Sequence, residues 1–479
     1  MPIIIPANSA VAGGFSVDNS CRFDGSSSKL VKSQSAGNRQ RWTYSVWLKR
    51  CAITSTTTTF FASSGGGNVY SYLGIQSDKI RWLDYDSSNN SNLITTAVFR
   101  DPSAWYHVVF AFNSNLGSGE TDKEERTKLY INGVRVTSFG TAAYAGHNQD
   151  SGVNVNSANF ILSSNQDQSS GSMWNGYMAE AHFIDGTAYQ ADSFGEFDSD
   201  SGVWKPIEVS GLTYGTNGYY LDFKDSANLG NDANGGTDFT ESGLAAIDQT
   251  TDTCTNNFST WNPLIYSPET LVFTEGNTNA SNQPVGAQYH GSTTIGMTSG
   301  KWYAEFKCTA ANQYGYVGIS ANPSETARSD RVPGYYPDEY TLYSYNGYLK
   351  TNNGGTSFAA SFTSNNDIIG VAVDLDNNKL YFSKNGDWAT GSGAWGNSTF
   401  NAGTGAKTIT ASNLTTEQAY FFIIGDADEG SSAKFNGNFG NPSYSTGTNQ
   451  DSNDRGSFAY AVPSGFFSVC TSNISEALS

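Results

Sequence analysis

At 479 residues the chain exceeds what one hydrophobic core organises, so two or three domains are expected. Aromatic residues reach 14%, with 27 Tyr and 28 Phe, while charged residues stop at 15% against a usual figure of about 25%; the surface must then be built from Ser, Thr, Asn and Gly, which suits short strands with many turns. A net charge of -18 excludes a nucleic-acid backbone as partner, and the absence of any stretch near the roughly 18 apolar residues of a spanning helix excludes insertion into a membrane by that route.

Residues 1–16 read as an extended arm, since Pro2 and Pro6 bracket Ile3, Ile4 and Ile5, three β-branched side chains that need a neighbour to bury them. That neighbour is either the arm's own domain or another subunit. The opening MPIIIPANSAVAGGF lacks the basic flank and the apolar run of a secretory signal. Cys21, Cys51, Cys254, Cys308 and Cys470 are odd in number and scattered, with no CxxC pair, so they read as buried free thiols and not as a zinc site or a disulfide frame. Both features predict folding in a reducing cytosol.

A first sandwich is predicted over 17–194, with strands near Trp42–Arg50, Lys79–Tyr85, Trp105–Phe112, Lys128–Val136, Asn159–Ser163 and Gly176–Ile184. Ser63–Gly67 and Asp86–Asn92 read as turns between them. A bridging region over 195–284 holds the strand Gly218–Lys224, a run dense in Asp, Asn and Gly from Asp225 to Asp238, and a Thr-rich stretch, Thr250–Trp261; it is too aromatic for a free linker and is expected to pack on its neighbours. A second sandwich follows over 285–441, with strands near Lys301–Cys308, Gly315–Ser320, Tyr340–Ser344, Ile368–Leu375, Leu380–Ser383 and Ala419–Ile424. The remainder, 442–479, docks back through the apolar Ser457–Cys470. No helical periodicity of useful length appears.

One pattern is written twice. Trp105–Phe112 followed by Lys128–Val136, and Ile368–Asp376 followed by Lys379–Trp388, each run from an apolar strand through a polar loop to an alternating strand ending on Asn-Gly, at Asn132-Gly133 and Asn385-Gly386. Both residues of such a pair accept the positive φ of a type I′ turn, so each marks a hairpin. Alternation places Ile369, Val371, Val373, Leu375, Leu380 and Phe382 on one face and Lys379, Tyr381 and Ser383 on the other. The fold class is therefore all-β, with two tandem sandwiches.

These motifs resemble known families. Trp105–Phe112 with Lys128–Val136 and Met178–Gly186 resembles a laminin G-like, concanavalin A-like jelly roll, and Gly300–Phe306, Tyr316–Ser320 and Ile369–Trp388, three motifs in order, resemble a SPRY domain, itself a concanavalin-like sandwich. The joining segments Phe194–Ile207, Gly218–Asp225 and Ala246–Leu264, with the closing Asn438–Cys470, are similar to virion structural proteins of tailed phages, marine ones in particular. The resemblance runs from about Phe15 onward. It implies a tail-fibre or spike component, assembled in the host cytoplasm and carried on the virion, that contacts other virion proteins and recognises a host-surface glycan or protein through sandwich loops. A homo-oligomer, most simply a trimer, gives such a fibre its avidity. A capsid-decorating or head-fibre protein without a receptor is the alternative within the particle.

A polysaccharide-degrading glycosidase is the alternative from another class. Retaining enzymes on this fold carry E-x-D-x-x-E on one strand, setting two carboxyls about 5 Å apart. The nearest match, Glu196–Ser201, has Ser201 in place of the second glutamate and sits in a Gly-flanked loop, so no enzyme activity is expected. His107 alternates with Trp105 and Val109 and reads as packed, not catalytic. Asp225, Asp232 and Asp238 offer hard oxygens for calcium, as do Asp84 and Asp86, but at irregular spacing, and turn formation is the simpler reading; no other cofactor is expected. Exposed aromatics on loops would serve recognition, and Tyr335, Tyr336, Trp388 and Trp395 are the candidates, each competing with a place in the core.

Overall fold

A computed structural model describes residues 14–87, 89–265, 271–282, 289–310, 314–321, 332–410, 419–426 and 434–478. The arm expected over 1–16 lies outside these residues except for its last three. Strand accounts for 43% of the residues and helix for 5%, which makes the fold all-β, and antiparallel sheets pair into jelly-roll sandwiches. The chain divides between Asn256 and Asn257 into two compact units. That division falls within the bridging region expected over 195–284. Its strands Tyr219–Leu221, Thr240–Ser242 and Gln249–Thr250 complete sheets of the first unit, whereas Val272–Thr274 and Asn279–Asn282 belong to the second.

In the first unit one sheet runs Thr127–Ile131, Trp105–Asn113, Arg41–Arg50, Asn175–Asp185, Ser20–Asp24, with Val134–Arg135 and Gln249–Thr250 at its edges. The facing sheet runs Phe139–Ala143, Asn89–Thr95, Lys79–Asp86, Val69–Gln76, Thr58–Ser64, Asn159–Leu162, Lys29–Ser33, Thr240–Ser242. Alternation along Arg41–Arg50 sends Trp42, Tyr44, Val46 and Leu48 into the space between them. There Trp42 stacks on Phe112 at 5.4 Å and meets Trp82 at 5.4 Å. The opposite face of the same strand is buried too. Trp47 packs with Trp105, Val109 and Tyr177 under Ala191, Phe194 and Trp204, supplied by the chain that follows the sandwich. The tail of the unit is tied to that face by Lys49 Nζ and Asp252 Oδ2, 2.7 Å apart with neither side chain exposed.

Tertiary pairing overrides two of the expected turns. Ser63 and Ser64 end the strand Thr58–Ser64, because Ser63 Oγ accepts from Gln34 Nε2 and donates to Gly152 O, both at 2.8 Å. Residues 89–92 lie in Asn89–Thr95, which pairs along Lys79–Asp86.

The repeated pattern yields the same local geometry twice. Asn132 and Gly133 take φ of 48° and 77°, and Asn385 and Gly386 take 51° and 85°. Each asparagine also ties its hairpin to the preceding strand: His107 N donates to Asn132 Oδ1 at 2.7 Å, and Ile368 N donates to Asn385 Oδ1 at 2.9 Å.

The second unit pairs a sheet built on Lys301–Ala310, Ile368–Asp374 and Lys379–Lys384 with one built on Gly315–Ser320, Glu339–Tyr343, Tyr348–Thr351 and Phe421–Asp426. Ile369, Val371, Val373, Leu375, Leu380 and Phe382 enter the core between them, on the face that alternation assigns. Tyr381 on the other face is buried as well, under Phe400 and the C-terminal Phe458 and Phe466. Glu305, fully buried, holds that segment by accepting from Ala459 N at 2.8 Å and Tyr460 N at 2.9 Å. The chain closes on a helix, Thr471–Leu478, that no periodicity announced.

Candidate functional site

Of the four aromatics expected on a recognition rim, the fold disperses three and buries one. Trp388 is 7% exposed and lies 4.9 Å from Phe400 in the cluster under the C-terminal segment, so it is core. Tyr335 and Tyr336 are half-buried and meet edge-to-face at 5.2 Å. Their loop is braced by Glu339, whose Oε2 accepts from Gly334 N and Tyr336 N, and by Asn352 N donating to Tyr336 O at the Thr351 end of Tyr348–Thr351. Trp395 lies at the margin of the main core, in the hairpin whose Gly393 faces Ser357, a residue paired with Tyr348 at the opposite end of that strand. Two further tyrosines flank the Asn346-Gly347 turn: Tyr345, 53% exposed, at the end of the candidate segment 332–345, and Tyr348, 37% exposed, which the sequence reading did not single out. The Tyr-Asn-Gly-Tyr spelling was the available signal, because an Asn-Gly tip projects its neighbours.

The calcium candidates are committed elsewhere. Asp232 Oδ2 takes the buried Lys32 ammonium at 3.0 Å and Oδ1 accepts from Tyr220 N and Asn234 N. Asp238 accepts from Asp232 N and Asn228 Nδ2, and Asp225 caps its own turn through Ala227 N. A lysine thus stands where a cation would compensate Asp232, and the described residues hold no cluster of three metal-ligating side chains. Asp84 is fully buried, accepting from Ser71 Oγ, Gln149 Nε2 and Gly152 N, while Asp86 sits exposed at a strand end.

A constellation with a catalytic look lies on the covered face of the first sheet. Ser45 Oγ is 2.9 Å from His107 Nε2, and Trp204 Nε1 is 2.9 Å from His107 Nδ1. An indole N–H only donates, so Nδ1 accepts and the imidazole proton sits on Nε2, donating to Ser45. A general base for Ser45 needs the reverse polarity. A bulge between Ala179 and His182 turns Glu180 and His182 to the same face, where Tyr220 donates to Glu180 Oε2 at 2.7 Å and His182 Nδ1 meets the Tyr214 hydroxyl at 2.8 Å. The space among these groups leaves no room for a water molecule. Burial, with His182 adding to it, pushes His107 down to about 3, so the ring is neutral. The loop Glu196–Ser201 is equally unsuited to glycoside hydrolysis. Lys205 Nζ sits 3.2 Å from both Glu196 and Asp198, and Asp198 Oδ1 is spent on Asp200 N and Ser201 N.

The outward face of the facing sheet is different in kind. Pairing sets Ser33, Asn159, Ser64, Tyr70 and Tyr85 in one row across five strands, and Val31, Ile161, Ala62, Tyr72 and Leu83 in the next. Tyr70 and Tyr85, both half-buried, stack at 5.0 Å and 24°. Arg81 lies 5.5 Å over Tyr72 and is held by Asn92 Oδ1 and Gln76 Oε1, each at 3.1 Å. Burial, then Tyr85 and Asp167, push the Tyr70 hydroxyl up, so it stays protonated and can both donate and accept. Ring faces bordered by hydroxyls and amides suit a ligand with apolar and hydroxylated sides. The strand Val69–Gln76 was not among those expected from the sequence, and which face Tyr70 and Tyr72 took depended on the facing sheet.

Residues 23–192 match the model of the concanavalin A-like lectin/glucanases superfamily, in its laminin G-like form. The first unit thus carries a lectin-like sandwich domain. Among curated proteins, Ran-binding protein 10 of Danio rerio is 28% identical over 109 residues, 22% of this chain and 18% of that protein. Ran-binding protein 9 of Homo sapiens is 30% identical over 93 residues, 19% of this chain and 12% of that protein. The chain spans less than a fifth of the length of these relatives. Solved structures with a similar fold include a SAP-like pentraxin from Limulus polyphemus, at 15% identity, TM-score 0.28, 36% of this chain and 78% of that one. The SPRY domain of human HERC1 gives 17%, 0.25, 37% and 92%.

Proposed function

We propose that this chain is a non-catalytic recognition protein of a phage particle, a tail-fibre or spike component that binds a host-surface glycan through the first sandwich and meets other virion proteins through its remaining surfaces. The observation that carries the reading is the Tyr70–Tyr85 stack on the outward face of the second sheet, bordered by Ser64, Asn159 and Ser33, in a domain of lectin-like fold. Sealing of the opposite outer face by Trp204 and Phe194 supports the choice of side. The tyrosines Tyr345 and Tyr348 of the second unit offer a protein-contact rim. Several copies, most simply three, supply avidity for individually weak sugar contacts.

The test is adsorption of the purified chain to host cells and to their isolated surface polysaccharide. Tyr70→Ala with Tyr85→Ala abolishes adsorption while circular dichroism stays unchanged. Undiminished adsorption by that variant removes the face from the reading. Particle labelling that places the chain on the capsid, with no adsorption at all, replaces the fibre role by a decorating one.

A further inference from the structure

Chain that follows the family-matched residues folds back on the sandwich and, with residues 31–35, encloses a cleft of about 510 Å³ between segments 215–218 and 234–240. That volume lies inside the roughly 300–1,000 Å³ of small-molecule sites. Its wall is rigid. Asn217 Nδ2 donates to Ser35 O at 2.8 Å and Asn154 Oδ1 at 3.0 Å, its Oδ1 accepts from Ser35 N at 2.8 Å, and its backbone N donates to Asp185. Close approach depends on glycine: a Cβ on Gly218 would fall 2.0 Å from Tyr214 O, and one on Gly236 would fall 2.4 Å from Asp232 Oδ2.

The cleft's cation is neutralised by Asp232, which leaves Asp238 as one exposed carboxylate at its margin. Lys32, its one lining cation, is held 3.0 Å from Asp232 and lies 5.5 Å over the rings of Tyr219 and Phe239. Asp238 accepts two hydrogen bonds from its own loop. What remains is a lining of exposed hydroxyls and amides, Thr216, Thr237, Thr240 and Asn234, with Val31 as an apolar patch. An anion would meet Lys32 already neutralised with Asp238 nearby, and a metal ion would find no cluster of three ligating side chains among the described residues. We infer that the cleft binds a neutral saccharide unit, at a site that shares Val31 and Ser33 with the margin of the outward face but lies three strands from Tyr70, resting on the recognition reading only for the class of ligand.

The experiment titrates the full chain with glucose, galactose, mannose, N-acetylglucosamine and glucose 6-phosphate, followed by saturation-transfer NMR and calorimetry. At least one neutral sugar is expected to saturate, to bind equally in EDTA, and to bind about tenfold more weakly to Thr237→Trp and Thr216→Trp, whose exposed positions spare the fold. Thr237→Ser keeps the affinity. Absence of any saturable sugar, parental affinity in both tryptophan variants, loss in EDTA, or preference for glucose 6-phosphate overturns the assignment. Tyr70→Ala with Tyr85→Ala leaves this binding intact, so undiminished adsorption by that variant with a saturable sugar site defeats the surface reading alone, whereas adsorption lost in that variant with no saturable sugar on the parent chain defeats the cleft alone.

Discussion

Replacing His107 by glutamine tests how the first unit responds to acid. The ring is 1% exposed, stacks on Trp47 at 4.7 Å, and uses both nitrogens in its neutral form, one accepting from Trp204 and one donating to Ser45. Protonation would set a hydrogen on Nδ1 against the indole N–H and bury a cation. The unfolded chain binds that proton near 6.5, while burial holds the folded ring at about 3. A depressed histidine therefore contributes stability that is whole above pH 6.5 and is lost as pH falls toward 3. Two units of that window, from 6.5 to 4.5, correspond to about 2.7 kcal/mol at 1.36 kcal/mol per unit. Urea unfolding followed by tryptophan fluorescence, at pH 7.0 and 4.5, reads the difference. The amide of a His107→Gln side chain can keep both hydrogen bonds without titrating, so the variant is expected to lose about 2–3 kcal/mol less than the parent on acidification. An equal loss in both proteins, or an NMR titration of His107 above pH 5, refutes the reasoning.

Glu305 predicts the opposite slope for the second unit: burial pushes its carboxyl up to about 7 against the pull of Ala459 N and Tyr460 N, so the stability it contributes is present below 4.5 and is lost as pH rises through 7, about 3 kcal/mol over that window, and Glu305→Gln flattens the profile in urea titrations. Removing one partner of the buried Lys49–Asp252 pair, as in Lys49→Met, is expected to destabilise the first unit by about 3–5 kcal/mol, with much of it restored by adding Asp252→Leu, measured as a double-mutant cycle. Trp388→Ala should lower the thermal midpoint through a loss of about 3–5 kcal/mol and leave adsorption per folded molecule unchanged, because the ring is core. Gly133→Ala is expected to cost more than the roughly 1–2 kcal/mol of left-handed strain alone, since its Cβ would fall 2.1 Å from Trp204, whereas Gly403→Ala, with nothing within 4 Å, costs only the strain.

Local chemistry made much of this protein readable from its residues. Alternation in Ile368–Asp374 and Lys379–Lys384 and the Asn-Gly pairs at 132–133 and 385–386 set strands, turns and inward faces, because period and positive φ are properties of neighbouring residues. The tertiary structure alone decided what covered the outward faces. Trp388 and Tyr381 alternate outward and are nonetheless buried, since Phe458 and Phe466, from far later in the chain, close over them. Asp232 was turned from a metal candidate into the partner of Lys32, which is 200 positions away. Tyr70 and Tyr85 became a neighbouring pair only through the register of Val69–Gln76 against Lys79–Asp86. Long-range pairings of this kind depend on how sheets stack and where later chain returns, and no window of sequence carries that information.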